Sequence, residues 1–344
     1  MFRSSRRRRG VRVTAAGWPA TALRGLALAT AAVAFVFTLC NYLIYWRGWP
    51  GLEGLFGHLG VFGYGPEGPG LDGAGAALGW LQLAAYAAAV LAPFVYAWWR
   101  GRPMRSDAEI LSAVAAYIAR AAFWGVLLVG LADMAISFLR VEGLLVGAVG
   151  AELAESLGRS RFRGEFVHYP LIGVALVIAA LTRSVGFTWL AFLIVLAELQ
   201  IVIARFVFSY EQAFMGDLVR FWYAALFLFA SAYTLLHEGH VRVDVLYTGF
   251  GARGKAWTNA LGAALLGVPL CWVILTRGMA GKSNLINAPL LSFEVTQSGY
   301  GMYVKYLMAG FLLVYALSML AQFLSQFLAS AATLLDEPEP GGAG

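Results

Sequence analysis

The sequence predicts an all-α protein whose helices cross a membrane several times. Of its 344 residues, 60% are hydrophobic and only 13% are charged, whereas a typical soluble domain is about half apolar and about a quarter charged. The mean hydropathy is +0.71. The apolar residues form repeated runs of about 20 residues, the length that an α-helix needs to cross the hydrocarbon core of a bilayer. The chain is therefore predicted to be a polytopic transmembrane helical protein.

The N-terminal residues 1–24 form a basic segment ahead of the first apolar run. They contribute much of the net charge of +6, through Arg3, Arg6, Arg7, Arg8, Arg9 and Arg12. A basic block before a membrane span retains that end of the chain in the cytoplasm. Aromatic residues are not interleaved with these arginines as they are in nucleic-acid-binding segments, which argues against a nucleic-acid partner.

Residues 25–186 are predicted to form a first group of spans. Three apolar runs are clear, at about 25–45, 76–99 and 120–140, and an earlier start of the third near Glu109 stays open. A charged connector, residues 140–168, follows them, and we expect part of it to lie on the membrane surface as an amphipathic helix.

A long apolar stretch, Pro170 to Ala204, is interrupted only by Arg183 and Glu198. One helix of that length fits a bilayer only with strong tilt, so we predict two spans, one ending near Thr182 and one at 187–204. Three further runs follow at about 218–236, 257–276 and 306–328. The total is about eight spans, with seven as the alternative. The acidic tail, residues 331–344, is predicted to be disordered.

The polar sequence HEGHVRVDV, at residues 237–245, raises the possibility of a metal site. In zinc proteases two histidines stand at i and i+4 on one helical face. Here His237 and His240 stand at i and i+3, Gly239 separates Glu238 from His240, and Gly disfavours a continuing helix. We therefore predict a polar turn at a membrane boundary, with no metal and no cofactor. The chain also lacks a recognisable catalytic set, so we do not expect an enzyme.

Three polar residues stand deep inside apolar runs: Asp133, Glu198 and Gln200. A charge in the membrane is costly, so such groups face a partner, a cavity or the bundle interior. They can supply a function or only a hydrogen bond between helices. A stand-alone transporter or channel that uses Asp133 and Glu198 as an ion path is therefore one alternative.

The last part of the chain contains a series of residues that together resemble a known family. Arg205 ends one predicted span, and Asp217 and Arg220 open the next. The run AYTLLHEGHVRVDV ends that span, and a Glu-x-x-x-Ser element and a lysine precede the last span, through Glu294, Ser298 and Lys305. The segment is similar to the small membrane subunit of tripartite ATP-independent periplasmic (TRAP) transporters, the DctQ-type permease component. Within it, the matching residues of the polar run include His240, Arg242 and Asp244.

The resemblance implies a four-helix core at residues 187–330, preceded by an extension whose role it does not supply. It implies an accessory subunit in the inner membrane of a bacterial cell, which assembles with a large permease and a periplasmic solute-binding protein. Uptake of organic acids such as C4-dicarboxylates would be driven by an ion gradient. The matched residues would then have structural or subunit-interface roles: Arg205, Asp217, Arg220, His240, Arg242, Asp244, Glu294, Ser298 and Lys305. A membrane metalloenzyme at His237, Glu238 and His240 remains as a second alternative.

Overall fold

The structure, a computed structural model, describes residues 17–64, 70–183, 186–210, 212–236, 247–296 and 301–338. All regular elements among these residues are helical: α1 (Trp18–Arg47), α2 (Gly51–Leu59), α3 (Gly73–Trp99), α4 (Met104–Val141), α5 (Leu145–Val149), α6 (Ala151–Leu157), α7 (Ser160–Leu181), α8 (Phe187–Phe208), α9 (Ala213–Leu236), α10 (Ala252–Met279), α11 (Asn287–Ser292) and α12 (Lys305–Leu334). Helix α7 contains a π-helical turn at Gly164–His168 and α10 contains one at Ala263–Gly267.

Eight of these helices are long and apolar enough to cross a membrane: α1, α3, α4, α7, α8, α9, α10 and α12. The prediction of an all-α membrane protein with eight spans is therefore confirmed. The apolar stretch from Pro170 to Ala204 is divided as predicted, since α7 ends at Leu181 and α8 begins at Phe187.

Several helices begin before their apolar runs. Helix α1 begins at Trp18, where Pro19 occupies the first turn and loses no hydrogen bond there. It ends at Arg47, and the next residue, Gly48, has a φ of 70°, the left-handed conformation that glycine adopts readily at helix ends. Helix α4 begins at Met104, directly after Pro103.

The connector at residues 140–168 differs from its prediction. Only α5 and α6 separate α4 from the next span, and α7 begins at Ser160, about ten residues before the apolar run. The basic sequence RSRFR therefore belongs partly to a span, and Arg163 in it is completely buried. Its charge can lie there because it is paired inside the protein.

The bundle is built around α4 and α12, which pack along each other. Helix α12 also packs against α1, α9 and α10, and α4 packs against α7 and α9. Between them lies a core rich in aromatic rings, in which Phe311 contacts both Phe221 and Phe229. Helices α3 and α8 lie at the periphery, where α3 packs mainly on α1 and α8 mainly on α9.

Hydrogen bonds show which helix ends meet. At one end of the bundle, Arg24 near the start of α1 pairs with Asp107 near the start of α4 at 2.7 Å. At the same end, the amide of Met104 donates to Glu337, just after α12. The start of the first span and the end of the last span thus lie on the same side, which agrees with an even number of crossings.

Candidate functional site: a buried ionic junction between α4, α7 and α12

A buried ionic cluster lies at the other end of α4, and Asp133 is its centre. The Asp133 cluster consists of Asp133, Arg163, His168, Tyr303 and Tyr306. Arg163 donates through one terminal nitrogen to Asp133 Oδ1 at 2.8 Å, and both side chains have no exposed surface. The same nitrogen lies 3.1 Å from Ser137 Oγ, and Arg163 Nε donates to the carbonyl of Leu157 at 3.0 Å. The charge of Asp133 is therefore balanced inside the protein.

His168 connects Asp133 to α12. Its Nε2 lies 3.1 Å from Asp133 Oδ1, and its Nδ1 lies 2.8 Å from the hydroxyl of Tyr306. A neutral imidazole with its proton on Nε2 donates to the carboxylate and accepts from the tyrosine. In that tautomer both ring nitrogens are satisfied, although the ring is completely buried.

The segment just before α12 is held by the second oxygen of Asp133, which accepts from the amide of Tyr303 at 2.8 Å. The hydroxyl of Tyr303 donates to the carbonyl of Gly158 at 3.0 Å. The guanidinium of Arg163 lies 4.2 Å from the centre of the Tyr303 ring, within the range of cation–π attraction. Arg140 donates to the Tyr303 hydroxyl and to the carbonyl of Gly301.

A second carboxylate, Asp217 on α9, holds the same segment from the other side. Its Oδ2 accepts from the amide of Met302 at 3.1 Å and from the hydroxyl of Thr296 at 3.3 Å. Asp217 is buried, whereas its neighbour Arg220 lies 3.7 Å away with 72% of its side chain exposed. Consecutive backbone amides, those of Met302 and Tyr303, are thus bonded to carboxylates from two different spans.

At its π-helical turn, α7 lies close to Phe293 and to Tyr306 of α12. A Cβ added at Gly164 would lie 2.3 Å from Cε1 of Phe293 and 3.0 Å from the hydroxyl of Tyr306. Only glycine permits this approach. Turns of this kind are frequent at functional sites, and this one carries His168 as its last residue.

The geometry of the cluster is that of a closed junction, because its carboxylate oxygens already accept hydrogen bonds from protein groups. No cluster of three or more potential metal ligands occurs among the described residues. An apolar cavity of about 270 Å³ lies nearby between α4, α7, α9 and α12. The wall contains no charged side chain and includes Ile172, Phe229 and Phe311, so it is suited to hydrocarbon and not to a carboxylate.

The other two intramembrane residues predicted from the sequence are not part of this junction. Glu198 and Gln200 are both exposed on α8, and Gln200 donates to the side chain of Gln212 at 2.9 Å. Asp133 and Glu198 therefore do not line one continuous surface. Arg205 is exposed in the last turn of α8. Beyond that turn Tyr210 donates to Glu142, and this bond raises the pKa of the tyrosine above its ordinary value.

Of the residues that carry the family resemblance, the structure brings Glu294 and Lys305 into contact, with the ammonium 2.5 Å from the carboxylate. The pair joins the segment after α11 to the start of α12. The remaining residues of the sequence hypotheses lie outside the described part of the chain: His237, Glu238, His240, Arg242, Asp244 and Ser298.

Sequence reasoning missed most members of the buried clusters. Arg163 and His168 were assigned to a surface connector, and Arg24 to a cytoplasmic segment, because each lies just outside an apolar run. Arg24 in fact is buried beside Asp107.

The comparison with known families gives one match. Residues 191–333 match the family model described as tripartite ATP-independent periplasmic transporters, DctQ component. No curated protein and no solved structure matches the chain. The matched residues include most of α8 and all of α9 and α10, and they end within the last turn of α12. Helices α1 to α7 precede the match as an N-terminal helical extension.

Proposed function

We propose that the chain works as the small membrane subunit of a tripartite ATP-independent periplasmic transporter, together with a large permease and a periplasmic solute-binding protein. Residues 191–333 match the family model of the DctQ component of such transporters. The complex would take up organic acids such as C4-dicarboxylates across the bacterial inner membrane, driven by a sodium gradient. The family match is the observation that carries this proposal.

The physical role proposed for the chain is that of a scaffold, without a catalytic residue. The Asp133 cluster supports this role, since its charges are paired with each other and not directed into an open site. The apolar wall of the cavity between α4, α7, α9 and α12 supports it too, because a carboxylate solute would lose its hydration there without gaining a partner.

We propose that the extension at residues 25–186 broadens this scaffold. Helix α4 belongs to the extension in sequence but packs along α9 and α12. Asp133 on α4 binds the amide of Tyr303, which lies within the matched range. A scaffold that includes α4 would present a larger and stiffer surface to the large permease than the four spans of the core alone.

The HVRVD run is proposed to fix a turn at the membrane boundary, with Arg242 and Asp244 as an ion pair that caps the end of α9. Substitution Arg242→Ala should then lower assembly with the large permease and leave the affinity of the binding protein for its solute unchanged. Co-purification of the two membrane subunits and solute titration of the binding protein measure these effects. Normal co-purification and uptake in the variant would contradict the proposed role.

The proposed function is tested by reconstitution of the purified chain and the large permease into liposomes with an inward sodium gradient. Uptake of a labelled dicarboxylate should require both membrane subunits and the solute-loaded binding protein. Flux through liposomes that contain this chain alone would instead favour a stand-alone transporter that uses Asp133 and Glu198. Metal analysis of the purified chain addresses the metalloenzyme alternative, which requires stoichiometric zinc.

A further inference from the structure

Helix α8 is an outermost span of the bundle. It packs mainly on α9, through residues that include Leu190, Ile194 and Ala197. Only 17% of its membrane-spanning stretch is buried inside the protein. The remaining face carries large apolar side chains such as Phe192 and Leu199, which are 50% and 52% exposed. This face has no covering element among the residues that the structure describes.

A carboxylate interrupts the apolar surface of α8 halfway along the helix. Glu198 follows eleven of the 22 residues of α8, so it lies about 16 Å from the start of the helix. It is exposed, and it forms no hydrogen bond and no ion pair within the described part of the chain. A carboxylate at this depth in contact with lipid is strongly unfavourable, so its place is against a protein surface that offers a cation or a hydrogen-bond donor.

Helix α3 provides the contrasting case. It is also an outermost span, and 17% of its membrane-spanning stretch is buried inside the protein. Its sequence contains no Asp, Glu, Lys or Arg between Gly73 and Trp99, and its polar residue Gln82 is buried with its oxygen accepting from the amide of Gly51. The exposed face of α3 is therefore compatible with lipid, whereas the equally exposed face of α8 is not.

The chemistry of the exposed α8 face restricts which protein can pack against it. Two copies of this chain in one membrane share an orientation, and a two-fold axis along the membrane normal would place Glu198 at the same depth as its symmetry mate. That arrangement brings like charges together at mid-membrane. A soluble periplasmic protein does not reach this depth. What remains is a different membrane protein that carries a basic or donating side chain halfway along one of its spans.

We propose that the α8 face around Glu198 docks a transmembrane helix of the large permease, and that Glu198 pairs there with a basic or hydrogen-bond-donating side chain at mid-membrane depth. The identity of the partner rests on the proposed function. The location of the surface rests on the exposure of α8 and on the unpaired carboxylate.

The test uses the full chain, co-expressed with the large permease of the proposed transporter. A photo-reactive amino acid is placed at Leu199 on α8 or at Leu91 on α3, two exposed leucines of similar accessibility, 52% and 62%. After irradiation in intact membranes, the probe at position 199 should form a covalent product with the large permease. The probe at position 91 should form none, which controls for random collisions.

Substitutions at Glu198 test the pairing itself. Glu198→Leu keeps the helix apolar and favours lipid, so the chain should still fold, while co-purification of the large permease in mild detergent should fall at least tenfold. Glu198→Gln retains hydrogen bonding, so co-purification of the large permease should fall less. Glu198→Lys should reduce co-purification most. Glu155→Gln, which changes an exposed carboxylate outside the spans, should leave co-purification unchanged.

Three outcomes would overturn the inference, and they differ from failure of the proposed function. The wild-type chain can co-purify with the large permease while the probe at position 199 labels only lipid, or while Glu198→Leu co-purifies normally. In both cases the docking surface is wrong and the proposed function stands. A crosslink from position 199 to a second copy of the chain also overturns it. Absence of any complex between the wild-type chain and the large permease overturns the proposed function, and the named partner with it.

Discussion

Asp133 and Asp107 lie on the same helix, and each is buried against an arginine, but they connect different parts of the molecule. Asp107, near the start of α4, pairs with Arg24 at 2.7 Å and accepts from the hydroxyl of Tyr96 at 3.1 Å. Its partners therefore lie on α1 and α3, within the extension. Asp133, about 39 Å farther along the helix, binds α7 and the segment before α12.

The difference shows how one helix holds two regions together. The Arg24–Asp107 pair orders three neighbouring spans of the extension, and Arg24 has further acceptors in the carbonyls of Ala97 and Arg100 at 3.3 and 3.0 Å. The Asp133 cluster joins the extension to the range that matches the transporter family. Loss of the first should loosen the extension, whereas loss of the second should separate the extension from the core.

The largest effect is expected from Asp133→Ala. The substitution leaves the guanidinium of Arg163 buried without a counter-charge and the amide of Tyr303 without an acceptor. Breaking a buried pair on one side costs about 3–5 kcal/mol of the free energy of unfolding. Denaturation of the purified chain in detergent, followed by intrinsic tryptophan fluorescence, measures the loss. The double variant Asp133→Leu with Arg163→Met removes both charges, so it should recover part of the lost free energy of unfolding. Equal stability of Asp133→Ala and the double variant would contradict the pairing.

A smaller effect is expected from Asp107→Ala, because Arg24 keeps two backbone carbonyls as acceptors. We expect a loss of about 2–3 kcal/mol, at or below the lower end of the range for broken buried pairs. Limited proteolysis should show new cleavage near α1 and α3, while the large permease still co-purifies. Loss of the large permease from the purified complex would mean that the Arg24–Asp107 pair does not act on the extension alone.

The junction can also be tested without any change of charge, through Gly164→Ala. The added methyl group would lie 2.3 Å from the ring of Phe293, and overpacking of this kind costs about 1–3 kcal/mol. Gly173→Ala is the matched control, since it lies on the same helix with no atom within 4 Å of the added carbon. The same measurement of unfolding applies. If both variants were equally stable, α7 would not pack against Phe293 as closely as the structure indicates.

The smallest effect is expected from Lys305→Ala, which removes the ion pair with Glu294. Both side chains are nearly half exposed, at 45% and 43%, and an exposed ion pair contributes about 0–1 kcal/mol because water screens it. The change in unfolding free energy should therefore be close to zero and should decrease further at high salt. A loss as large as that of Asp107→Ala would show that the pair is shielded from solvent in the assembled protein.

The sequence was a good guide to the spans and a poor guide to the polar clusters. The apolar runs predicted all eight spans, including the division of residues 170–204, because a span must be long and apolar whatever its neighbours are. The importance of Asp133 also followed from its depth in an apolar run. Its partners did not, since Arg163 and His168 stand at the edge of a run and resemble surface residues.

Composition and hydrophobic run length determined by themselves that this is a helical membrane protein with about eight spans, and the residues after Gln200 predicted the family whose model matches residues 191–333. The tertiary structure alone decided which charged groups meet. The pairs that build the Asp133 cluster are separated by 30 to 170 positions in the chain, and no local pattern records such distances. A span is a property of about 20 consecutive residues in lipid, but the balance of a buried charge depends on which helix packs beside it.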